Sequence, residues 1–345
     1  MTPSGGVAKL IIQIPCFNEE GFLAETLAAL PRSVAGFDTV ETLVIDDGSG
    51  DGTSEVARLS GATYLLRFPV HRGLARAFEA GLDAALKLGA DVIVNTDADN
   101  QYRGEDVVRL VQPILAGQAE MVVGDRAPYR LAHFRPAKRL LQAAGSWVVR
   151  QLSGTTTPDA TSGFRAFSRR AALRLNVFTK FTYTLETVIQ AGKKHIPIAH
   201  VPITANPDRR PSRLFGSLYV YMKHSLATLI RIYALYEPLK VFLGLGGLLV
   251  AAGGAVVIRF LVFYLLGHGA GHVQSLILGA VLFIVGFQTI SIGLVADLIG
   301  NNRSLLEDTL YRVRELELRF GDGPNVVRLA GEPPPQRLEV RRGQR

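Results

Sequence analysis

Short apolar runs alternate with amphipathic stretches through the first two thirds of the chain, and two far longer apolar runs follow. Lys9-Leu10-Ile11-Ile12-Gln13-Ile14, Thr42-Leu43-Val44-Ile45, Thr63-Tyr64-Leu65-Leu66 and the run beginning at Val92 each read as a buried strand. Between them, Phe22, Leu23, Leu27 and Leu30 share one helical face closed by Pro31, and a helical pattern runs from about Leu74 to Leu88. Met121 to Arg126 is a further strand, followed by a loop and helix from Ala127 to Leu152. Strands alternating with helices predict an α/β domain with a mostly parallel, Rossmann-like sheet over residues 1–211. Beyond it, residues 212–237 mix apolar positions with Lys223, His224, Arg231 and tyrosines, the pattern of amphipathic helices in a membrane interface.

The two long runs, about Leu239–Leu266 and Val273–Ile299, each exceed the ~20 residues needed to cross a bilayer. They predict a transmembrane hairpin over 238–300, then a short cytoplasmic helix within 301–320. The Pro-, Gly- and Arg-rich tail at 321–345 is expected to be disordered. The link Gly267–His272 carries no Lys or Arg, whereas basic residues flank both spans. The positive-inside rule therefore puts both termini and the α/β domain in the cytoplasm of an inner or plasma membrane protein. Arg259 interrupts the first span and would either pair inside a bundle or snorkel to a helix end. Gly244, Gly246, Gly247, Gly253 and Gly254 permit close helix approach, a hint of homo-oligomers formed through the spans.

Composition agrees with a membrane protein: 48% of the 345 residues are hydrophobic, and the mean hydropathy is +0.21. One Cys excludes a disulfide framework, and Met1 to Lys9 holds no apolar stretch of signal-peptide type. The net charge of +8 calls for an anionic partner. Nucleic acid would satisfy that charge, but the basic residues flank the spans and no recognition motif is present.

The chemistry collects at strand ends. Val92-Ile93-Val94-Asn95 runs into Thr96-Asp97-Ala98-Asp99-Asn100-Gln101, with two carboxylates one residue apart that extended backbone points the same way. Such a pair, without His or Cys nearby, suits Mg²⁺ or Mn²⁺ completed by water and substrate phosphate. A polar strand-to-loop corner would also favour Asp and Asn there. The first strand breaks at Pro15-Cys16-Phe17-Asn18-Glu19-Glu20 and the second at Asp46-Asp47-Gly48-Ser49. Ligands of parallel sheets bind beyond the carboxyl ends of the strands, where all three clusters fall.

These three clusters, in this order and spacing, resemble family 2 glycosyltransferases of the GT-A fold, and more narrowly the dolichyl-phosphate mannose synthase-like branch. Asp159-Ala160-Thr161-Ser162-Gly163-Phe164-Arg165 matches the family's Asp-x-x-Ser-Gly-Phe-Arg segment. The resemblance covers roughly residues 8–315, with Phe17 standing where the family often has Tyr. It implies transfer of a sugar from a UDP- or GDP-linked donor to a polyprenyl phosphate. Pro15, Phe17, Asn18, Glu19, Asp46 and Asp47 would then line the nucleoside pocket, with His71, Arg72 and Gly73 near the diphosphate. Asp97, Asp99 and Gln101 would hold the metal, and Asp159 would orient donor sugar or acceptor. Arg126, Arg139, Ser162, Arg209, Arg210 and Arg213 would hold the acceptor phosphate. Arg130, Arg135 and Lys138 are read as general attraction to anionic lipid.

A phosphate monoester has its second pKa near ~6, so this acceptor is largely an anion at neutral pH and needs little help from a general base. One in-line displacement with inversion is expected, without a covalent intermediate. Two rivals carry less. A processive polysaccharide synthase calls for Gln-x-x-Arg-Trp and more spans, and the stretch Gln142 to Trp147 does not match. A membrane-anchored nucleotide-binding module without catalysis has no use for intact Asp97, Asp99 and Gln101.

Overall fold

The first strand owes its place to an almost unbroken apolar run. In the computed structural model β1 spans Lys9–Cys16, and every residue after Lys9 is buried, as a strand covered on both faces requires. The structure describes residues 8–126, 150, 153–155, 157–177, 183–204, 206, 237–267, 273–321 and 323–329. The other strands are β2 (Thr39–Asp46), β3 (Tyr64–Arg67), β4 (Val92–Asn95), β5 (Met121–Asp125), β6 (Arg165–Ser168), β7 (Ile198–Pro202) and β8 (Val327–Arg328). They form one sheet in the order β7-β5-β6-β4-β1-β2-β3-β8. The helices α1 (Leu23–Ala29), α2 (Thr53–Leu59), α3 (Leu74–Lys87), α4 (Asp106–Leu115), α5 (Arg169–Arg174) and α6 (Tyr183–Lys193) accompany it. The expected α/β, mostly parallel GT-A-like architecture is present.

Two features of this sheet decide where a site can form. β1 pairs in parallel with β2 on one side and β4 on the other. The chain thus winds outward in one direction through β2 and β3, then restarts across β1 at β4. That reversal parts the loops after β1 and β4 and opens a crevice at the carboxyl edge. The second feature is β6, which runs antiparallel to both β4 and β5. Its four residues showed no strand pattern in the sequence, because Arg165 opens it and Ser168 ends it as the N-cap of α5. β6 lays the segment before Arg165 beside the end of β4.

The chain divides into two compact units, Met1–Pro211 with Val313–Arg345, and Ser212–Arg312. The tail expected to be disordered is in part ordered. Val327 and Arg328 pair antiparallel with Leu65 and Tyr64, and Leu329 is buried and donates its N–H to Thr63 O at 2.8 Å. An unpaired edge of β3 would leave buried-face amides open, and this segment covers it. Arg314 Nη1 donates to Asn176 Oδ1 at 2.8 Å and Leu175 O at 3.2 Å within the same unit.

The helices α7 (Pro238–Leu265), in the second unit, and α8 (Val273–Phe320), which begins there, are long and apolar enough to cross a membrane, with mean hydropathy of 2.4 and 2.2 over their most apolar stretches. The expected break between a second span and a separate helix does not occur. Gly300 alone is a weak breaker, and the Arg303–Glu307 pair at 2.9 Å supports continuation. The large side chains face outward; Leu248 and Phe287 are 67% and 63% exposed. What is buried between the helices is glycine: Gly246 and Gly253 on α7, and Gly279, Gly286 and Gly293 on α8, each seven residues apart. A Cβ on Gly253 would lie 2.8 Å from Gly279 O, and one on Gly246 2.8 Å from Gly286 O. Backbone meets backbone along this seam. The close helix approach that these glycines permit is therefore realised in part within one chain. Gly246 and Gly253 serve the hairpin itself, while Gly244, Gly247 and Gly254 have open space around them. Arg259 lies over the Phe263 ring at 5.7 Å, one turn nearer Leu265.

The interfacial helices proposed for 212–237 fall, but for residue 237, outside the described residues, as do the link at 268–272 and Trp147.

Candidate active site

The loops after β1 and β2 are stitched to each other before any ligand is considered. Asn18, at φ 55° in the left-handed region that Asn tolerates, donates its N–H to Ser49 Oγ at 3.0 Å and accepts from Gly50 N at 2.9 Å. Glu19 N donates to Thr53 Oγ1 at 2.9 Å. The two aspartates that end β2 look inward. Asp46 is fully buried; it accepts from Ser49 N at 2.8 Å and from the Ser54 hydroxyl, with Arg67 Nε 3.6 Å away. Asp47 accepts from Arg72 N at 2.7 Å and Gly73 N at 2.8 Å, and His71 Nδ1 stands 2.9 Å from its second oxygen. Both are expected to line the nucleoside pocket; in the fold they also hold the loops after β1 and β2 and the turn before α3 in shape. Asp47 thereby sets the His71-Arg72-Gly73 turn ahead of α3. Phe17, 37% exposed, stacks on His71 with centroids 3.9 Å apart. The Arg72 guanidinium is exposed and lies over Phe68. Pro15 is buried within β1. Cys16 is also buried there, and desolvation raises its thiol pKa well above the usual value, so it is no nucleophile.

The acidic pair follows β4. Thr96 N donates to Gln13 O at 3.1 Å, carrying the β1–β4 ladder one residue past the strand. The turn beyond is held from two sides. Thr26 Oγ1 of α1 donates to Ala98 O at 2.8 Å, and Asn206 donates to Gln101 O and Asn100 O, both at 2.8 Å. Gln101 N in turn donates to Asp99 Oδ1 at 3.1 Å. Asp97 is desolvated and faces the like charge of Asp99, and together these raise its pKa from 3.8 to about 7. A site that resists a second negative charge is one that a divalent cation would relieve. Among the described residues no group of three or more His, Cys, Asp or Glu is placed to hold a metal. The pair therefore suits a hard cation whose remaining ligands are water and phosphate oxygens.

The Asp159–Arg165 segment closes the other side. Arg126, just past β5, makes a bidentate pair with Asp159, Nε to Oδ2 at 2.8 Å and Nη2 to Oδ1 at 3.1 Å, and its Nη2 also reaches Thr161 Oγ1 at 3.0 Å. Burial works against the Asp159 carboxylate, but the Arg126 bonds outweigh it and hold the pKa below the usual range. Arg165 is fully buried, and among the described residues no carboxylate forms an ion pair with it. It donates to Ser162 O, Thr184 O and Ala160 O, each at 2.7 Å, and to Thr187 Oγ1 at 2.6 Å. Desolvation lowers its pKa to about 10, which still leaves it charged at neutral pH. This arginine is the internal clamp of the loop.

Two residues expected at the acceptor phosphate are placed as follows. Arg126 is paired with Asp159, and Ser162 is fully buried with its carbonyl accepting from Arg165. Arg139, Arg209, Arg210 and Arg213 lie outside the described residues, as do Arg130, Arg135 and Lys138. Sequence reasoning missed Asn95, Tyr102 and Tyr183, polar groups within apolar surroundings, where no spacing rule flags them.

Gly163 stands where the two halves meet. A Cβ there would lie 3.0 Å from Asp97 Oδ1, 3.1 Å from Oδ2 and 3.0 Å from the Tyr183 hydroxyl. Only glycine lets the backbone come so near the carboxylate. Gly163→Ala should therefore turn Asp97 aside and lower kcat by about 10²-fold, with the nucleotide KM changed little. Steady-state kinetics on the purified variant checks this, and an unchanged kcat would show that the carboxylate has room to yield.

A model of glycosyl transferase family 2 matches residues 11–175. The chain is 32% identical over 200 residues to an uncharacterized protein of Methanocaldococcus jannaschii, covering 56% of this chain and 80% of that one. It is 28% identical over 217 residues to a UDP-N-acetylglucosamine–dolichyl-phosphate N-acetylglucosaminyltransferase of Methanococcus voltae, covering 56% and 85%. Over 206 residues it is 28% identical to an undecaprenyl-phosphate mannosyltransferase of Micrococcus luteus, covering 57% and 83%. Among solved structures, glucosyl-3-phosphoglycerate synthase of Mycobacterium tuberculosis, in complex with Mn²⁺, UDP-glucose and phosphoglyceric acid, aligns with a TM-score of 0.51. The identity is 23%, over 65% of this chain and 80% of that one, and the likeness is one of fold.

Proposed function

The chain belongs to glycosyl transferase family 2, and from that premise we propose that it moves a sugar from a nucleoside diphosphate to a polyprenyl phosphate at the cytoplasmic face of a membrane. The observation that carries the reading is the meeting of Asp97, Asp99 and the Arg126–Asp159 pair at the carboxyl edge of the sheet, next to the stitched loops of β1 and β2. Relatives named for transfer to dolichyl and undecaprenyl phosphate support the acceptor class. Two helices able to span a bilayer support a lipid acceptor.

Asp97 and Asp99 would hold Mg²⁺ or Mn²⁺, with Gln101 beside them, and the ion would supply positive charge to the departing diphosphate. The chain's own groups do the rest. The loops of Asn18, Glu19 and Asp47 present the nucleoside, and Phe17 on His71 offers it a flat apolar surface. Asp159 stays ionised against Arg126, which suits orienting a sugar hydroxyl and not accepting a proton. An anionic acceptor oxygen needs no base, so a single in-line displacement with inversion suffices. Lipid phosphate binding falls to the arginine cluster, with Arg139, Arg209, Arg210 and Arg213 as its further members.

The test is a panel of UDP- and GDP-sugars incubated with the full chain and undecaprenyl or dolichyl phosphate, reading lipid-linked monosaccharide. One donor should give a polyprenyl-phosphate sugar. A protein that binds nucleotide and yields no such lipid with any donor defeats the reading.

Proton and cation should compete at this site. Asp97 must be ionised to take a cation, so below pH 7 each lost pH unit is expected to weaken Mn²⁺ binding about tenfold, with a plateau above. Because the folded pKa is raised, the stability Asp97 contributes to metal-free protein is full below about pH 3.8 and lost as pH rises through about 7. Mn²⁺ titration calorimetry between pH 5.5 and 8 reads the first effect, and a flat profile would contradict it.

A further inference from the structure

Asn95 ends β4 in the middle of the core, fully buried, where a strand of this kind ordinarily carries Val or Ile. Its amide is used on every side. Oδ1 accepts from Gln13 Nε2 at 2.9 Å, while Nδ2 donates to Gly163 O at 2.8 Å and to the Tyr183 hydroxyl at 3.0 Å. The groups it holds are those that crowd Asp97. Gly163 is gripped from its other end as well, since its N–H donates to the Tyr102 hydroxyl at 3.1 Å. Tyr183 is itself fixed, buried and stacked on Phe78 with centroids 3.9 Å apart. A Cβ on Gly163 would lie 3.0 Å from both Asp97 Oδ1 and the Tyr183 hydroxyl, so the Gly163 backbone is what the carboxylate is packed near, and one side chain two residues upstream of Asp97 ties Gly163 and Tyr183 in place.

We propose that Asn95 is a positioning residue for Asp97: by holding Gly163 and Tyr183 it sets the carboxylate in the orientation that receives a divalent cation. The inference rests on the metal role given to Asp97 above. A buried amide with all its bonds made is costly to replace and highly directional, which suits fixing an orientation rather than filling space. Groups that orient metal ligands in this way typically change metal affinity 10- to 100-fold when lost.

The experiment uses the full chain in detergent, with Mn²⁺ alone as probe and the EPR signal of free Mn²⁺ as readout, so that binding is seen without turnover. Asn95→Leu keeps the volume and removes all three bonds. Tyr183→Phe removes one hydroxyl and leaves the bond from Asn95 to Gly163. Leu65→Ala, a core deletion in β3, controls for general loss of stability. Asn95→Leu should weaken Mn²⁺ binding about tenfold or more and raise the KM for Mn²⁺ in parallel, while metal-free affinity for the nucleoside diphosphate (UDP or GDP) of the donor that turns over stays near wild type. Tyr183→Phe should give a smaller loss in the same direction, and Leu65→Ala should lower Tm without moving Mn²⁺ affinity. If Asn95→Leu and Leu65→Ala leave Mn²⁺ binding equally intact, or weaken it equally, Asn95 is only structural and the proposal is wrong. Wild-type protein that binds no Mn²⁺ would instead overturn the underlying reading of the site, and this inference with it.

Discussion

Asp99→Ala should lower turnover by about 10³-fold or more while the protein stays folded. Asp99 is partly exposed at the turn after β4, and in the described structure it accepts only one backbone N–H, from Gln101 at 3.1 Å. Its removal leaves no large cavity and no buried orphan, so Tm should move little. What is lost is half of the negative pair that would neutralise a cation at the leaving diphosphate. The same substitution carries an internal check. The like charge of Asp99 is second to desolvation among the causes that raise Asp97, so Asp97 should titrate lower in the variant. A folded Asp99→Ala protein that makes lipid-linked sugar at the wild-type rate would remove the metal from the mechanism altogether.

Asp159→Ala should act through stability as well as activity. Asp159 is 1% exposed and Arg126 19% exposed at the side chain, and their bidentate bond is the main compensation for burying either charge. Removing the carboxylate strands a guanidinium that burial disfavours and that Asp159 and Asp97 otherwise keep charged. Breaking a buried pair in this way typically costs about 3–5 kcal/mol, enough to threaten a domain of ordinary stability. The double variant Arg126→Met with Asp159→Leu removes both charges and should recover much of the loss without recovering turnover. Chemical denaturation of wild type, Arg126→Met, Asp159→Leu and the double variant in one detergent gives the coupling energy. Additive effects of the two single substitutions would mean that the pair contributes little to the fold.

The strands ending at Cys16, Asp46 and Asn95 were legible because parallel strands buried on both faces must be apolar throughout. Their acidic ends were legible because such runs break abruptly where chain leaves the core. The hairpin was legible for the same reason of length and apolarity. The partners were not. Asp47 looks like a ligand-facing acid in the sequence, and only the turn from Val70 to Gly73 folding back beneath it reveals that its oxygens meet Arg72 N and Gly73 N. Arg126 and Asp159 are 33 residues apart and carry no spacing signal, yet they form a bidentate ion pair at 2.8 Å and 3.1 Å. The glycines at 246 and 253 suggested helix contacts, but with which helix depended on Gly279 and Gly286.

What the sequence alone determined is the order of elements and the residue types delivered to the sheet's carboxyl edge, since hydrophobic periodicity and strand breaks are local properties of the chain. What only the tertiary structure decided is which polar groups meet. β6 runs backwards between β4 and β5, sets Gly163 against Asp97 and lets Asn95 hold both Gly163 and Tyr183. Hydrogen bonds and desolvation act over a few ångströms, and residues tens of positions apart come within that range only after the sheet has assembled.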